Sequence, residues 1–258
     1  MKEARGQKSE VRSQWAVGSE KCRLRAVTFD AGGTLLYPHP SVGEIYAEAA
    51  RRHGAAVDAA VMEAAFRRSW VACHHDDAVA AAGNVSQREW WREMVFQTLA
   101  MADVTMPDRE AYFHELYDLF ASPEVWRLFP DAIETLMAVR RRGLKVGLLS
   151  NWDHRLRPVL EGLGLMPSLD AVTISCEVGV EKPDPKIFHA AWSALGVARG
   201  EEVLHVGDSY RDDVLGALAV GMGAVLVERA GKHPWDGATI RRLGDLTALL
   251  DEERNEKG

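Results

Sequence analysis

The chain reads as an α/β fold: a parallel sheet with crossover helices, interrupted after its first strand by an all-helical insertion. Three features carry this reading. "RLRAVTF", residues 23–29, closes on an apolar, partly β-branched run of the kind that forms a buried strand. Residues from Ser41 to about 121 carry apolar side chains at helical spacing and hold no convincing strand. After Pro130, helical and strand-like segments alternate with short connections, as parallel strands joined by crossover helices do. At 258 residues the chain is long enough for such a core and a smaller unit beside it.

Taken in order, residues 1–23 mix charge, Ser, Gln and Gly without period and are expected to form a frayed extension. The strand "RLRAVTF" follows. "SVGE" places Ser41 three residues before Glu44, a capping-box spacing, and Gly54 is suited to close that helix. Helical stretches cover about 58–73 and 107–121, and between them "SQRE", Ser86 to Glu89, repeats the cap signature before "WWREMVFQTLA". Beyond Pro130 come helix "DAIETLMAVRRRG", strand "KVGLL", a helix, strand "AVTI", helix "DPKIFHAAWSALG", strand "EVLHV", a helix and strand "GAVLVE". The expected division is a core of residues 24–37 and 125–258 around an insertion of residues 38–124. There is no internal repeat and no low-complexity tract.

Composition is that of an ordinary globular protein, 47% hydrophobic and 27% charged. A formal net charge of −7 argues against nucleic-acid binding, which concentrates Lys and Arg on one face, but leaves room for a small anionic substrate held by local cations. Cys22, Cys73 and Cys176 lack the close spacing of a zinc or redox motif, so inert thiols in a reducing cytoplasm are expected. No apolar run reaches the length of a membrane helix and the first residues are too polar for a signal peptide, so a cytoplasmic protein without membrane partners is expected. Nothing in the sequence sets an oligomeric state.

In open parallel sheets, ligands sit beyond the carboxyl ends of the strands. Here "AVTF" stops on Asp30, "VGLL" on Ser150 and Asn151, and "VLHVG" on Asp208, while "AVTI" leads through a loop to Lys182. These types together suit displacement at phosphorus. A carboxylate attacks a phosphoryl group to form an aspartyl-phosphate. Because the two repel, a divalent cation held partly by Asp208 is almost required. Lys182, Ser150 and Asn151 would neutralise the equatorial oxygens.

These segments resemble the motifs of the haloacid dehalogenase (HAD) superfamily: "DAGGTL" from Asp30, "LLSN" ending at Ser150 and Asn151, "EKPDPKIF" with Lys182, and "VGDSYRDDVLGA" with Asp208 and Asp213. The resemblance covers roughly residues 24–250. Within the superfamily, "SQREWWREMVFQTL", "LLSNWDHRL" and "KPDPKIF" look most like a group that also lacks the second acid of the first motif. The resemblance implies a Rossmann-like core with a helical cap and a Mg²⁺-dependent phosphatase acting on a small phosphorylated metabolite. It implies Asp30 as nucleophile and metal ligand, Gly32 as a ligand through its carbonyl, and Asp208 as the main acid ligand. Asp213 would support the metal shell or Lys182, with Asp212 able to share that duty. Ser150 and Asn151 would grip phosphoryl oxygens.

The departure is Gly32, where family phosphatases carry the acid that protonates the leaving alcohol and later activates water. Loss of such a group costs about 10²–10⁴-fold in rate, less for phenolates and acyl phosphates that leave unaided. His39, His74 or His75 could supply a proton from the insertion, and Gly32→Asp is expected to raise turnover of alkyl phosphates if the site is otherwise intact. "CHHDD" at residues 73–77 could also suggest a metal cluster, but a solvated helix end suits it better.

Taken singly, each site residue has an ordinary reading. Asp30 could be a loop acid, Lys182 the residue before a helix started by Pro-Asp-Pro, Ser150 and Asn151 turn formers, and Asp212 and Asp213 helix-start acids. Trp90 and Trp91 read as packing within the insertion, and His205 as core. Two further functions stay open: a metal-independent dehalogenase in which Asp30 attacks carbon, and a non-catalytic protein that still holds phosphate and Mg²⁺.

Overall fold

The computed structural model describes residues 23–75, 87–229, 231 and 235–255. The expected extension, residues 1–23, lies outside these but for Arg23, as do Cys22, Ser86 of the second cap signature, and Asp76 and Asp77. Two compact units are present, one of residues up to 37 and from 128 onward, the other of residues 38–127. No helix among the described residues is long and apolar enough to cross a membrane.

Strand β1 (Ala26–Phe29) is buried along its whole length, as a strand covered on both faces should be. A short strand β2 (Leu36–Pro38) leads into the second unit, whose helices are α1 (Val42–Arg52), α2 (Ala59–His75), α3 (Gln87–Met101) and α4 (Arg109–Leu119). The α1 cap forms largely as its spacing predicts: Glu44 N donates to Ser41 Oγ at 3.1 Å, while the hydroxyl donates to Glu44 Oε2 at 2.8 Å. Gly54 then takes φ +82°, a left-handed closure that costs a glycine no Cβ clash.

The core of this unit draws Ile45, Tyr46, Met62, Val95, Leu99, Tyr112, Phe113 and Leu116 from all four helices. Tyr112 is fully buried with its hydroxyl donating to Tyr46 O at 3.1 Å, so an apolar body is sealed without stranding a polar atom. Trp91 packs against the same cluster.

Strand β3 (Trp126–Leu128) pairs with β2, a two-stranded element without sequence periodicity because each partner is only three residues long. Helix α5 (Ala132–Arg141), β4 (Lys145–Ser150), α6 (Leu156–Gly162), β5 (Ala171–Ile174), the single turn α7 (Ser175–Val178) and α8 (Pro185–Ala194) follow. Proline at the first turn and Asp184, which accepts from Lys186 N at 2.8 Å, start α8. Then come β6 (Val203–Gly207), a π-turn at Tyr210–Leu215 running into α9 (Gly216–Ala219), β7 (Gly223–Val227), β8 (Thr239–Ile240) and α10 (Leu246–Asn255).

The sheet order is β5-β4-β1-β6-β7-β8, all parallel. On one face, Ile187, Phe188, Ala191 and Trp192 of α8 pack with Ala26, Leu149, Val203, Val214 and Leu226. The chain runs from β1 to β4 and β5 on one side and then crosses to β6 on the other, so the strand order reverses at β1 and opens a crevice at its carboxyl end. The register pairs Phe29 with Leu148 of β4 and Val206 of β6, so Ser150 and Asp208 emerge one residue beyond the level of Asp30. That levelling is what the spacing of apolar runs alone suggested.

Candidate active site

Asp30 leaves β1 with its N–H donating to Val206 O at 2.9 Å, which fixes the main chain against β6. Its Oδ1 accepts from Ser150 Oγ at 2.9 Å and from Lys182 Nζ at 2.7 Å. Lys182 Nζ also donates to Asp213 Oδ1 at 2.5 Å and to Leu149 O at 3.2 Å, so all three ammonium protons have acceptors. Asn151 clasps the main chain of Lys182 at two points, Oδ1 accepting from Lys182 N at 2.6 Å and Nδ2 donating to Lys182 O at 2.9 Å. Its amide is therefore engaged in placing the ammonium.

Asp213 is held from three sides. Besides Lys182, His205 Nε2 meets Oδ1 at 3.0 Å, and Ser209 N donates to Oδ2 at 2.9 Å. His205 is buried, as its mid-strand position predicts, but it is no inert core residue: its Nδ1 lies 2.9 Å from Thr28 Oγ1 and Phe188 packs edge-on against the ring. Asp208 is the open member of the group, accepting from Thr34 Oγ1 at 3.3 Å while its edge reaches solvent.

Carboxylate oxygens of Asp30, Asp208 and Asp213 lie within 4.8 Å of one another, with Lys182 the one buried cation described among them. Burial, followed by the charges of Asp213 and Asp30, sets Lys182: burial opposes the ammonium, but the two carboxylates outweigh it and raise its pKa. Asp213 is likewise opposed by burial, yet Lys182 and His205 hold it well below the ordinary carboxylate range. Burial dominates at Asp30 and raises it despite Lys182. Asp208 is raised by its packed surroundings and then by the charges of Asp30 and Asp213, even though part of its surface is open. Three acids with one ammonium form a hard-oxygen cluster short of positive charge, which fits a small divalent cation such as Mg²⁺.

The turn after Asp30 is tight. Leu35 N donates to Ala31 O at 2.8 Å and Gly33 N to Leu36 O at 2.8 Å. Gly33 stands at φ +76°, and a Cβ there would fall on the Asp208 carboxylate, so glycine is required twice over. Arg229, just past β7, fastens the turn: Nη2 donates to Thr34 O at 2.8 Å, Nε to Gly33 O at 3.2 Å, and the guanidinium lies 3.5 Å from the Phe129 ring centroid. Gly32 sits beside the Trp152 ring, where a Cβ would come 3.2 Å from Cζ3.

The structure thus brings Asp30, Ser150, Asn151, Lys182, Asp208, Asp213 and the Gly32 turn to one strand edge. His39 is exposed in the other unit, and the side chains of His74 and His75 lie outside the described residues, as does most of the candidate "CHHDD" cluster. Cys73 donates to Gln97 Oε1 at 2.9 Å, and among the described residues neither Cys73 nor Cys176 forms a disulfide. Sequence reasoning missed Arg229 and Trp152. Arg229 follows a strand's carboxyl end, the same signal that marked Asp30 and Asp208; Trp152 directly follows Asn151 but carries no charge to draw notice.

Residues 24–221 match the family model for haloacid dehalogenase-like hydrolases. This chain belongs to that family, whose Rossmann-like fold the six-stranded parallel sheet reproduces. It is 39% identical over 85% of its length to haloacid dehalogenase-like hydrolase domain-containing protein 3 of Mus musculus, covering 87% of that protein. It is also 39% identical, over 62% of its length and 64% of the relative, to a phosphoserine phosphatase of Thermus thermophilus. Among solved structures, a dehalogenase superposes with TM-score 0.69 at 26% identity, covering 88% of this chain and 97% of the other. The domain-containing protein 3 group is the one whose segments the three motif stretches resemble.

Proposed function

We propose that this chain is a Mg²⁺-dependent phosphatase of small phosphorylated metabolites, working through an aspartyl-phosphate at Asp30. The carrying observation is that Lys182 and Ser150 both grip Oδ1 of Asp30, which aims the carboxylate and leaves Oδ2 as the attacking atom. Likeness to a phosphoserine phosphatase supports the phosphoryl substrate class.

Oδ2 forms a bond to phosphorus while the bond to the substrate's leaving oxygen breaks, and that oxygen departs with the electron pair. Water then adds to phosphorus, the bond to Asp30 breaks, and phosphate leaves. Lys182 holds a fixed positive charge where carboxylate and phosphate would otherwise repel, and Asn151, Asp213 and His205 hold Lys182 in place. Mg²⁺ held by Asp30, Asp208 and the Gly32 carbonyl, with Asp213 supporting the shell through Lys182, would neutralise further phosphate charge. No side chain at Gly32 can protonate the leaving oxygen, so esters of phenols and acyl phosphates are favoured over alkyl esters by about 10²–10⁴-fold.

The test is turnover of 4-nitrophenyl phosphate with and without Mg²⁺, read with mass spectrometry of trapped enzyme. Mg²⁺-dependent turnover, a phosphoryl adduct on Asp30 and loss of both in Asp30→Asn are expected. A second reading, favoured by Gly32 and the likeness to a dehalogenase, has Asp30 attack a halogen-bearing carbon. Metal-independent halide release from haloacids would establish it in place of the first. Mg²⁺ binding with neither turnover nor adduct would leave a binding protein.

A further inference from the structure

The space next to Gly32 is filled by a neighbour. A Cβ at this position would lie 3.2 Å from Cζ3 of Trp152, tighter than most such contacts, and 3.9 Å from Cη2, an ordinary van der Waals distance. The main chain that carries the ring is pinned on both sides: Trp152 N donates to Ser175 Oγ at 3.0 Å, Ser175 Oγ donates to Trp152 O at 3.1 Å, and Cys176 N donates to the same carbonyl at 3.3 Å. Trp152 also adjoins Asn151, whose clasp on Lys182 fixes the loop from the other end. Just beyond, Arg155 and Asp153 form a buried ion pair at 2.7 Å. The indole is half-buried, so part of its surface is open to a ligand.

We propose that Trp152 stands where a second motif acid would reach and lines the leaving-group side of Asp30 with an aromatic wall, making it the specificity-determining residue for phosphate esters of flat, aromatic leaving groups. This rests on the phosphatase reading. In place of a proton donor, the site offers a ring edge and face that pack against another ring, and a leaving group that stabilises its own negative charge needs no proton. Gly32 and Trp152 are then one steric unit: a side chain at position 32 presses on the indole, which must give by a few tenths of an ångström to admit it. The expectation that Gly32→Asp by itself restores alkyl turnover changes accordingly, since the ring must move aside or be removed as well.

The experiment compares kcat/KM for an aryl and an alkyl phosphate in the unaltered chain, Trp152→Ala and Trp152→Phe, with calorimetric binding of phenylphosphonate and methylphosphonate, which cannot turn over. Loss of ring packing is expected to lower the aryl preference about two- to tenfold in Trp152→Ala, mostly through KM, with Trp152→Phe retaining it. Phenylphosphonate should lose the same factor and methylphosphonate none. Thermal unfolding gives a readout free of activity: Gly32→Ala, which adds only the Cβ and no charge, should lower Tm by about 2–4 °C in the native background and not in the Trp152→Ala background. An unchanged aryl preference, or the same Tm loss in both backgrounds, overturns the assignment of Trp152. Failure of the unaltered chain to hydrolyse either ester or bind either phosphonate overturns instead the phosphatase reading beneath it.

Discussion

Replacing Lys182 by methionine, similar in length but uncharged, isolates the electrostatics of the site. The ammonium is the shared partner of Asp30 Oδ1 at 2.7 Å and Asp213 Oδ1 at 2.5 Å, and it satisfies Leu149 O as well. Removing one member of a buried ion pair costs about 3–5 kcal/mol because the other charge is left uncompensated. Here two carboxylates lose the same cation, but the cost is bounded, since either can take up a proton at about 1.4 kcal/mol per pH unit. In the native chain Asp213 is held below its ordinary pKa, so its stabilising contribution is present above that ordinary value and is lost only as pH falls through the depressed one. In Lys182→Met the sign reverses: carboxyls raised above their unfolded pKa destabilise at neutral pH and cease to do so as pH falls. Urea unfolding at pH 7.5 should therefore show a deficit of about 3–5 kcal/mol that narrows by roughly 2–4 kcal/mol at pH 4.5. A deficit that is constant with pH, or under about 1 kcal/mol at pH 7.5, would refute the picture of Lys182 as a buried counter-ion.

Asp208 behaves in the opposite sense. Its raised carboxyl is destabilising at neutral pH and is relieved by protonation as pH falls, an effect that solvent keeps small at so open a side chain, so Asp208→Asn should leave Tm in chelator unchanged or slightly higher while largely abolishing the Tm increase that added Mg²⁺ produces. A stabilising Mg²⁺ effect of native size in that variant would remove Asp208 from the metal site. Arg229→Ala should lower kcat about tenfold with a smaller change in KM, since it releases the Gly33 and Thr34 carbonyls without touching phosphate. Arg229→Lys should rescue little, because lysine has neither the planar face that stacks on Phe129 nor the rigid fork that reaches the Gly33 and Thr34 carbonyls together. Full activity in the lysine variant would show that only charge matters there.

Much of this site was legible in one dimension because a parallel sheet converts sequence order into position. Each apolar run long enough to be a strand delivers its following residue to one edge, so Asp30, Ser150, Asn151 and Asp208 were readable from where the runs stop. Lys182 was less so, since a loop and the turn α7 separate it from β5 and only its company marked it. The short strands β2, β3 and β8 were not readable, being two or three residues long with no period to detect. The fourth crossover read as an ordinary helix, whereas the chain forms a π-turn over Tyr210–Leu215 that turns Asp213 inward to Lys182 and His205.

Local pattern alone predicted the alternation of strands and helices, a helical stretch between the first strand and the rest, and which types of group follow each strand. These follow from apolar periodicity and from residues adjacent in the chain. Which groups share a proton or a charge was decided by folding, because contacts between residues as far apart as Asp30 and Lys182, Thr28 and His205, or Gly33 and Arg229 leave no periodic trace. The glycine at position 32 shows the difference most plainly. In sequence it is a missing acid; in space it is a position whose Cβ would press to 3.2 Å on the Trp152 ring, a contact between segments that only the packed sheet brings together.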